Sequence, residues 1–166
     1  DRQQVGTMTL PANKELILSK IEGDCLDIEL ELDPQMARWV ELRVLRSPDA
    51  EEYTSITFYN FDRKLSVWYQ TQSMICLDGT RSSTNPNIWL RPPECAPFTR
   101  GDEPLRLRVL VDRSVVEVFA NDRQYLAMRV YPACKNSVGI SLLAQGQDAL
   151  LNRLDAWQMK SIWRAS

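Results

Sequence analysis

Histidine is absent from this chain, and its absence excludes several kinds of active site. Ser-His-Asp and Cys-His catalysis both need an imidazole to carry a proton. Metal sites built on histidine and imidazole proton shuttles are excluded in the same way. Carboxylates, lysine, tyrosine and cysteine are therefore the only side chains left to act as acids or bases.

An excess of basic charge and long apolar segments are also missing. Twenty basic and 22 acidic residues give a net charge of −2, which does not favour nucleic acid as a partner. No apolar run approaches the roughly 20 residues of a membrane-spanning helix, so we expect no membrane partner. The polar start, Asp1 to Gln4, is unlike a signal peptide. Without an initiator methionine, the chain is expected to be a mature product or an excised piece, and its compartment stays open.

The four cysteines, at positions 25, 76, 95 and 134, form no C-x-x-C pair. Zinc-binding and thioredoxin-like motifs are therefore not indicated. An even number of cysteines permits two disulfides in three pairings. A core of this size does not need cross-links, however, and cysteine is among the most buried residue types. We therefore expect free, mostly buried thiols.

The dominant hydrophobic pattern has a period of two. Apolar and charged residues alternate over 27–32, 40–44 and 105–111, which is typical of antiparallel strands with one buried face. Turn-forming groups recur about every eight to twelve residues, as in a sandwich or barrel. We predict one all-β domain over 1–166, a two-sheet antiparallel β-sandwich of about ten to twelve strands, with 1–13 as a leading segment.

Two hairpins and the last strands can be placed from this pattern. Ile56–Phe58 and Leu65–Tyr69 are joined by a short polar connection, and Asn121-Asp122 suits a tight turn because both residue types tolerate positive φ. The last strands are predicted over 138–143 and 154–163.

Two stretches interrupt the strand pattern. Residues 149–152 are interpreted as one helical turn. Residues 78–104 are rich in loop-forming residues and proline, and loops of this length usually have a function or pack against a neighbour. Within them, the segment 85–98 with Trp89 and Phe98 is a candidate docking surface; the alternative is a loop folded over its own core.

A motif in the C-terminal half resembles one family. The run Leu105 to Asp122 contains D-x-S-x-x-E-V-F-x-N and is similar to the C-terminal β-sandwich of glycoside hydrolase family 32, which contains invertases, levanases and inulinases. The tail 154–163 resembles the last strand of that module. One departure is Arg123, where the family commonly has glycine; it bears on the turn type and not on the fold.

The motif itself is interpreted as hairpin architecture. Short polar residues explain its turns locally, and if Glu117 is buried it needs a partner, for which an arginine of strand 105–111 is a candidate. The predicted structural residues of the hairpin and of the last strand are Asp112, Ser114, Glu117, Asn121, Asp122, Trp157 and Trp163.

The resemblance implies a retaining hydrolase whose two carboxylates lie on an N-terminal five-bladed propeller of the same polypeptide. The family motifs N-D-P-N and R-D-P are absent here, and Glu94-Cys95 matches the third motif, E-C, only as an isolated dipeptide. A propeller blade needs roughly 40–50 residues, so five do not fit in 166. We therefore expect no catalytic residue, cofactor or metal in this chain.

Two functions remain open at this point. The first is a non-catalytic accessory module of a β-fructofuranosidase acting on sucrose or fructans, with the propeller as partner; some family members also form dimers through this module, so a homodimer is a further partner to test. The second is a lectin-like carbohydrate-binding module, because sugars stack on exposed aromatic rings. Trp68 is the favoured contact, since its neighbour Tyr69 faces the opposite side of the strand and is expected to join the core.

Overall fold

The computed structural model describes residues 1–61 and 72–160, which fold into two packed antiparallel sheets. These residues contain 13 strands and no helix, and so no helix that could span a membrane. The predicted all-β sandwich is confirmed. In chain order the strands are β1 (Arg2–Val5), β2 (Met8–Leu10), β3 (Leu16–Glu22), β4 (Cys25–Asp33), β5 (Trp39–Arg46), β6 (Thr54–Tyr59), β7 (Met74–Asp78), β8 (Glu94–Pro97), β9 (Leu105–Asp112), β10 (Val115–Ala120), β11 (Gln124–Arg129), β12 (Gly139–Gln145) and β13 (Ala149–Gln158).

One sheet has seven strands and the other has six. The seven-stranded sheet runs β1-β13-β4-β9-β10-β11, with β2 also paired to β13. The six-stranded sheet runs β3-β12-β5-β6-β7-β8. The leading segment is built into the first sheet, because Arg2 lies opposite Trp157 and Leu10 lies opposite Ala149.

The core lies between the sheets, where the alternating apolar residues meet. Leu30 of β4 and its cross-strand partner Leu107 of β9 are both buried. The intervening positions face outward and carry charge, as in the ion pair between Arg108 and Asp27, whose nitrogen and oxygen are 2.7 Å apart. The period of two thus assigns one face of each strand to the core and one to the exterior.

The predicted helical turn at 149–152 is wrong, because these residues begin β13. Ala149 and Leu151 are fully buried and pair with β2, and the register shifts between Leu151 and Arg153. A short apolar run does not distinguish helix from strand by its pattern alone. Its pairing partner, β2, decides the structure.

The long loop predicted over 78–104 contains a strand, β8, at the edge of the six-stranded sheet. Its prolines fit that position, since an edge strand has one side on which no ladder donor is needed. The predicted connection at 60–63 and the strand Leu65–Tyr69 fall largely within 62–71, outside the described residues, so only Asn60 and Phe61 of them are described.

A buried carboxylate joins three loops at one end of the sandwich. The Glu52 side chain is fully buried and accepts hydrogen bonds from the backbone N–H groups of Thr84 (2.7 Å), Ala133 (2.9 Å) and Cys134 (3.0 Å). The hydroxyls of Thr84 and Ser137 also donate to it, at 2.8 and 2.7 Å. Burial raises the pKa of Glu52, but these hydrogen bonds outweigh it and lower the pKa to about 2.

Replacing Glu52 by glutamine should destabilise the protein by about 1–3 kcal/mol at pH 7, because an amide cannot satisfy donors that surround both carboxylate oxygens. Since the folded-state pKa of about 2 is below the ordinary value of 4.5, the stabilisation is complete above about pH 4.5 and is lost as the pH falls towards 2. The difference between wild type and Glu52→Gln in urea unfolding should therefore shrink between these pH values.

Glu51→Gln is the matched control, because Glu51 is the exposed neighbour of Glu52 and should change stability little. A difference between wild type and Glu52→Gln that stays constant from pH 7 to pH 2 would contradict the assignment.

Candidate functional site

The Asn-Asp turn of the sequence motif has the geometry predicted for it. Asn121 and Asp122 have φ of 45° and 54°, and the Arg123 N–H donates to the Ala120 carbonyl at 3.0 Å, as in a type I′ turn. Because the left-handed conformations fall on Asn121 and Asp122, Arg123 is accommodated after them. The buried Asn121 side chain also accepts a hydrogen bond from the Arg106 N–H at 2.8 Å.

The turn before it, between β9 and β10, is held by contacts with neighbouring segments. The backbone N–H of Arg113 donates to the Asp24 carbonyl at 2.6 Å, and the Ser114 carbonyl accepts from the Val130 N–H at 2.9 Å. The exposed Asp112 carboxylate lies 3.7 Å from the thiol of Cys25. These contacts are internal to the sandwich, and the architectural role of the turn stays a prediction.

Glu117 has a different partner from the one predicted. Its carboxylate accepts a hydrogen bond from the Tyr125 hydroxyl at 2.6 Å, which raises the pKa of Tyr125. Arg108, on the strand expected to supply the partner, pairs with Asp27 instead. The condition for an arginine partner is not met, because Glu117 is only half-buried, and it finds a neutral donor diagonally across β10 and β11.

The aromatic residues singled out from the sequence have different environments. Trp157 is half-buried with the Arg2 guanidinium 5.8 Å from its ring centre, whereas Trp68 and Trp163 lie outside the described residues. Phe98 is only 3% exposed and packs edge-to-face on Phe58 in the core, so its assignment to a docking surface is wrong. Trp89, by contrast, is 91% exposed.

The loop that carries Trp89 is attached to the sandwich near both ends. Thr84 is held by Glu52, and Cys95 forms a disulfide with Cys76. Between these two attachments the loop presents the exposed side chain of Trp89 and, beside it, the partly exposed Leu90. A large apolar group is thus displayed on a segment whose ends are fixed.

The disulfide corrects the expectation that all four thiols are free. Cys76 on β7 lies directly opposite Cys95 on β8, with their Cα atoms 4.1 Å apart. The sequence pattern does not reveal this pairing, because it predicts a loop where β8 lies. Cys25 and Cys134 are free and half-buried, and burial is the main cause of the raised pKa of each thiol.

A shallow groove of about 380 Å³ lies on the outer face of the six-stranded sheet. We call it the sheet groove. It is bounded on one side by the disulfide and Pro93, and it brings together side chains from β5 to β8 and the loops beside them. Its polar and aromatic lining includes Glu41, Tyr53, Ser55, Thr57, Tyr59, Asp78 and Arg81.

Charges of both signs line the sheet groove. The guanidinium carbons of Arg43 and Arg81 lie 4.3 and 5.1 Å from the ring centre of Tyr53, and Arg43 also bonds Glu41 at 2.5 Å. Burial raises the pKa of Tyr59, and the carboxylates of Glu41 and Asp78 raise it further. These two carboxylates are therefore close enough to Tyr59 to affect its ionisation.

A partly buried ion-pair network supports this side of the sheet. Glu15 accepts from Arg46 at 2.8 Å and from Arg43 at 3.2 Å, and the Ser141 hydroxyl donates to it at 2.5 Å. Burial raises the pKa of Glu15, but the hydrogen bonds and the two guanidiniums lower it to about 2. Arg43 thereby links Glu15 to the wall of the groove.

Glu94, the isolated match to a catalytic motif, is exposed at the start of β8. Its neighbours Pro93 and Cys95 line the groove, but Glu94 itself is not part of that lining. Over residues 1–61 and 72–160, no group of three or more Asp, Glu, Cys or His side chains is arranged to hold a metal ion.

Comparison with known families and proteins shows what this chain is similar to. The family described as "Glycosyl hydrolases family 32 C terminal" matches residues 2–158. An insoluble-isoenzyme β-fructofuranosidase of Daucus carota is 35% identical over 123 residues, or 70% of this chain and 20% of that protein. A fructan 6-exohydrolase of Beta vulgaris is 34% identical over 128 residues, again 20% of that protein. The chain thus spans about a fifth of these relatives.

Solved structures of low sequence identity share the fold. Fructan 1-exohydrolase IIa of Cichorium intybus superposes with a TM-score of 0.80 at 19% identity, over 97% of this chain and 36% of that one. Exo-inulinase of Aspergillus awamori superposes with a TM-score of 0.74 at 19% identity, over 98% of this chain and 29% of that one.

Replacing Cys76 and Cys95 together by serine should lower stability by roughly 3 kcal/mol, the scale expected for a cross-link that closes a loop of about this length. Reductant should lower the unfolding midpoint of the wild type and leave the double variant unchanged. Cys25→Ser is the control, because its thiol is free and its variant should keep the response to reductant. Thiol labelling of more than two cysteines in the unfolded, unreduced chain would contradict the pairing.

Proposed function

Because the chain belongs to the C-terminal domain family of the family 32 glycosyl hydrolases, we propose that it is the non-catalytic accessory module of a β-fructofuranosidase-type enzyme acting on sucrose or fructans. The main support is that the family of C-terminal domains matches residues 2–158, while the chain spans only about a fifth of the β-fructofuranosidases it resembles. The catalytic propeller is then the remaining part of the same polypeptide and the module's main partner.

The carboxylates of the sheet groove support a non-catalytic role. A retaining glycosidase needs one carboxylate free to attack and one carboxyl group able to give up a proton. Glu41 is held in an ion pair with Arg43, and Asp78 accepts a hydrogen bond from the backbone N–H of Thr80 at 2.8 Å. Both groups are engaged as ordinary structural acceptors.

Trp89 is the residue through which the module would dock on the catalytic propeller. Burying a large apolar side chain contributes about 1.5–3 kcal/mol of stabilisation. Trp89 is not buried within the module, so this stabilisation would come only from contact with another surface. The loop is already fixed near Thr84 and Cys95, so docking would order few additional residues. The occupant we propose is the remaining four-fifths of the polypeptide, judged from the length of the relatives.

Sugar binding by the module itself is the second candidate function. The aromatic and hydroxyl side chains that line the sheet groove favour it, because sugar hydroxyls and sugar C–H faces match these two kinds of surface.

The isolated 166-residue chain should release no fructose from sucrose or inulin above the rate without protein. The physical reason is that the two catalytic carboxylates belong to another part of the polypeptide. The complete polypeptide, assayed in parallel by reducing-sugar release, is the positive control. Turnover that coelutes with the pure chain in gel filtration would overturn the proposal.

Trp89→Ala should lower the melting temperature of the complete polypeptide by several degrees and leave that of the isolated chain unchanged, since the side chain is 91% exposed in the module. Trp89→Phe should keep part of the effect. Tyr131→Ala, at an exposed aromatic outside this loop, is the matched control and should shift neither melting temperature. Equal melting temperatures of the wild-type and Trp89→Ala complete polypeptides would exclude this docking site.

A further inference from the structure

The outer faces of the two sheets differ in chemistry. The seven-stranded sheet carries acidic residues on β4 opposite basic residues on β9, as in Glu29 opposite Arg108 and Glu31 opposite Arg106. The six-stranded sheet presents hydroxyls and aromatic rings on β5 and β6, beside a smaller number of charged side chains. The first face is suited to contact with water, whereas the second combines apolar surface with directional polar groups.

Three aromatic rings form a continuous stripe beside the sheet groove. Trp39 on β5 lies opposite Tyr59 on β6, with ring centres 5.9 Å apart, and Tyr59 stacks on Phe61 at 5.8 Å with the ring planes 16° apart. Phe61 is exposed, and Trp39 and Tyr59 are half-buried. Contiguous exposed apolar surface is a feature of binding and interaction sites.

Hydroxyl groups without partners lie beside this stripe. Ser55 and Thr57 line the groove and are more than nine-tenths buried. Within the described part of the chain, their hydroxyls make no hydrogen bond to protein. Both residues line the groove, so a ligand or water there can supply hydrogen-bond donors and acceptors to these hydroxyls.

The charges around the groove select for a neutral ligand. Glu41 and Asp78 carry negative charge and Arg43 and Arg81 carry positive charge, so the formal charges cancel. An anionic or cationic ligand would gain from one pair and be repelled by the other. A hydroxyl-rich neutral ligand can donate to the carboxylates and accept from a guanidinium.

We propose that the sheet groove binds a neutral oligosaccharide, with a C–H face of one sugar ring on Tyr59 and Trp39 and its hydroxyl edge on Ser55 and Thr57. The groove's volume of about 380 Å³ lies within the range of small-ligand sites. The proposal rests on the second candidate function and is separate from the accessory role, which stands whether or not the groove binds sugar.

Titration calorimetry of the 166-residue chain with 1-kestose, maltotriose and cellotriose tests the proposal and separates fructose-based from glucose-based ligands. Binding of at least one trisaccharide is expected. Tyr59→Ala and the double variant Ser55→Ala/Thr57→Ala should each weaken it by roughly tenfold, because they remove the stacking surface and the hydroxyl partners. Tyr59→Phe keeps the ring and should retain most of the affinity.

Tyr125→Ala is the matched control, because it removes an exposed aromatic ring from the outer face of the other sheet. Every variant is first checked for an unchanged melting temperature and an intact Cys76–Cys95 disulfide; where Tyr59→Ala does not fold, Trp39→Phe and the hydroxyl variants carry the test. Absence of binding by all three sugars, or binding that these groove variants leave unchanged, would overturn the proposal. Binding by the isolated chain that is lost in the complete polypeptide would do so too, because it would identify the groove as a domain interface.

Discussion

The apolar layer shared by the two sheets is the constraint on which the rest of this molecule depends. Alternate residues of each strand point into that layer. Leu30 and Leu107 therefore pair in the core, whereas Asp27 and Arg108 form an ion pair on the outer face. Polar chemistry is thereby confined to the outer faces and to the loops at the ends of the sandwich. Glu52 shows how a charge can be buried here without an ion pair: several donors from two other loops surround it.

The possible roles of the module fall on three different surfaces: the outer face of each sheet and the loop that bears Trp89. The charged face is occupied by its own cross-strand ion pairs. The hydroxyl-lined face is the proposed sugar site, and the loop bearing Trp89 is the proposed contact with the rest of the polypeptide. Because the loop begins near Glu52 and ends at the disulfide that bounds the groove, both proposed surfaces depend on the same edge strand, β8.

The parts of the fold that could be predicted are those whose pattern is local. Alternation over 105–111 and the Asn121-Asp122 pair each contain enough information to place a strand and a turn. The sheet groove could not be found in this way, because Glu41, Tyr59 and Asp78 are separated in the sequence and meet only through the pairing of three strands. Glu52 carries no local signal either: its donors come from loops 32 to 85 residues away. The disulfide was missed for a related reason, since two cysteines face each other only once β8 is known to be a strand.

The position of β13 has a consequence for how the chain reaches this structure. This final strand lies between β1 and β4, and it is the strand that pairs with β1 and β2. Residues 1–10 therefore have no partner strand until a segment some 140 residues further along the chain has been made, and one edge of β4 stays unpaired until then. The seven-stranded sheet therefore forms only once β13 is present, and the edge of β4 that receives β13 is an unpaired strand edge before that.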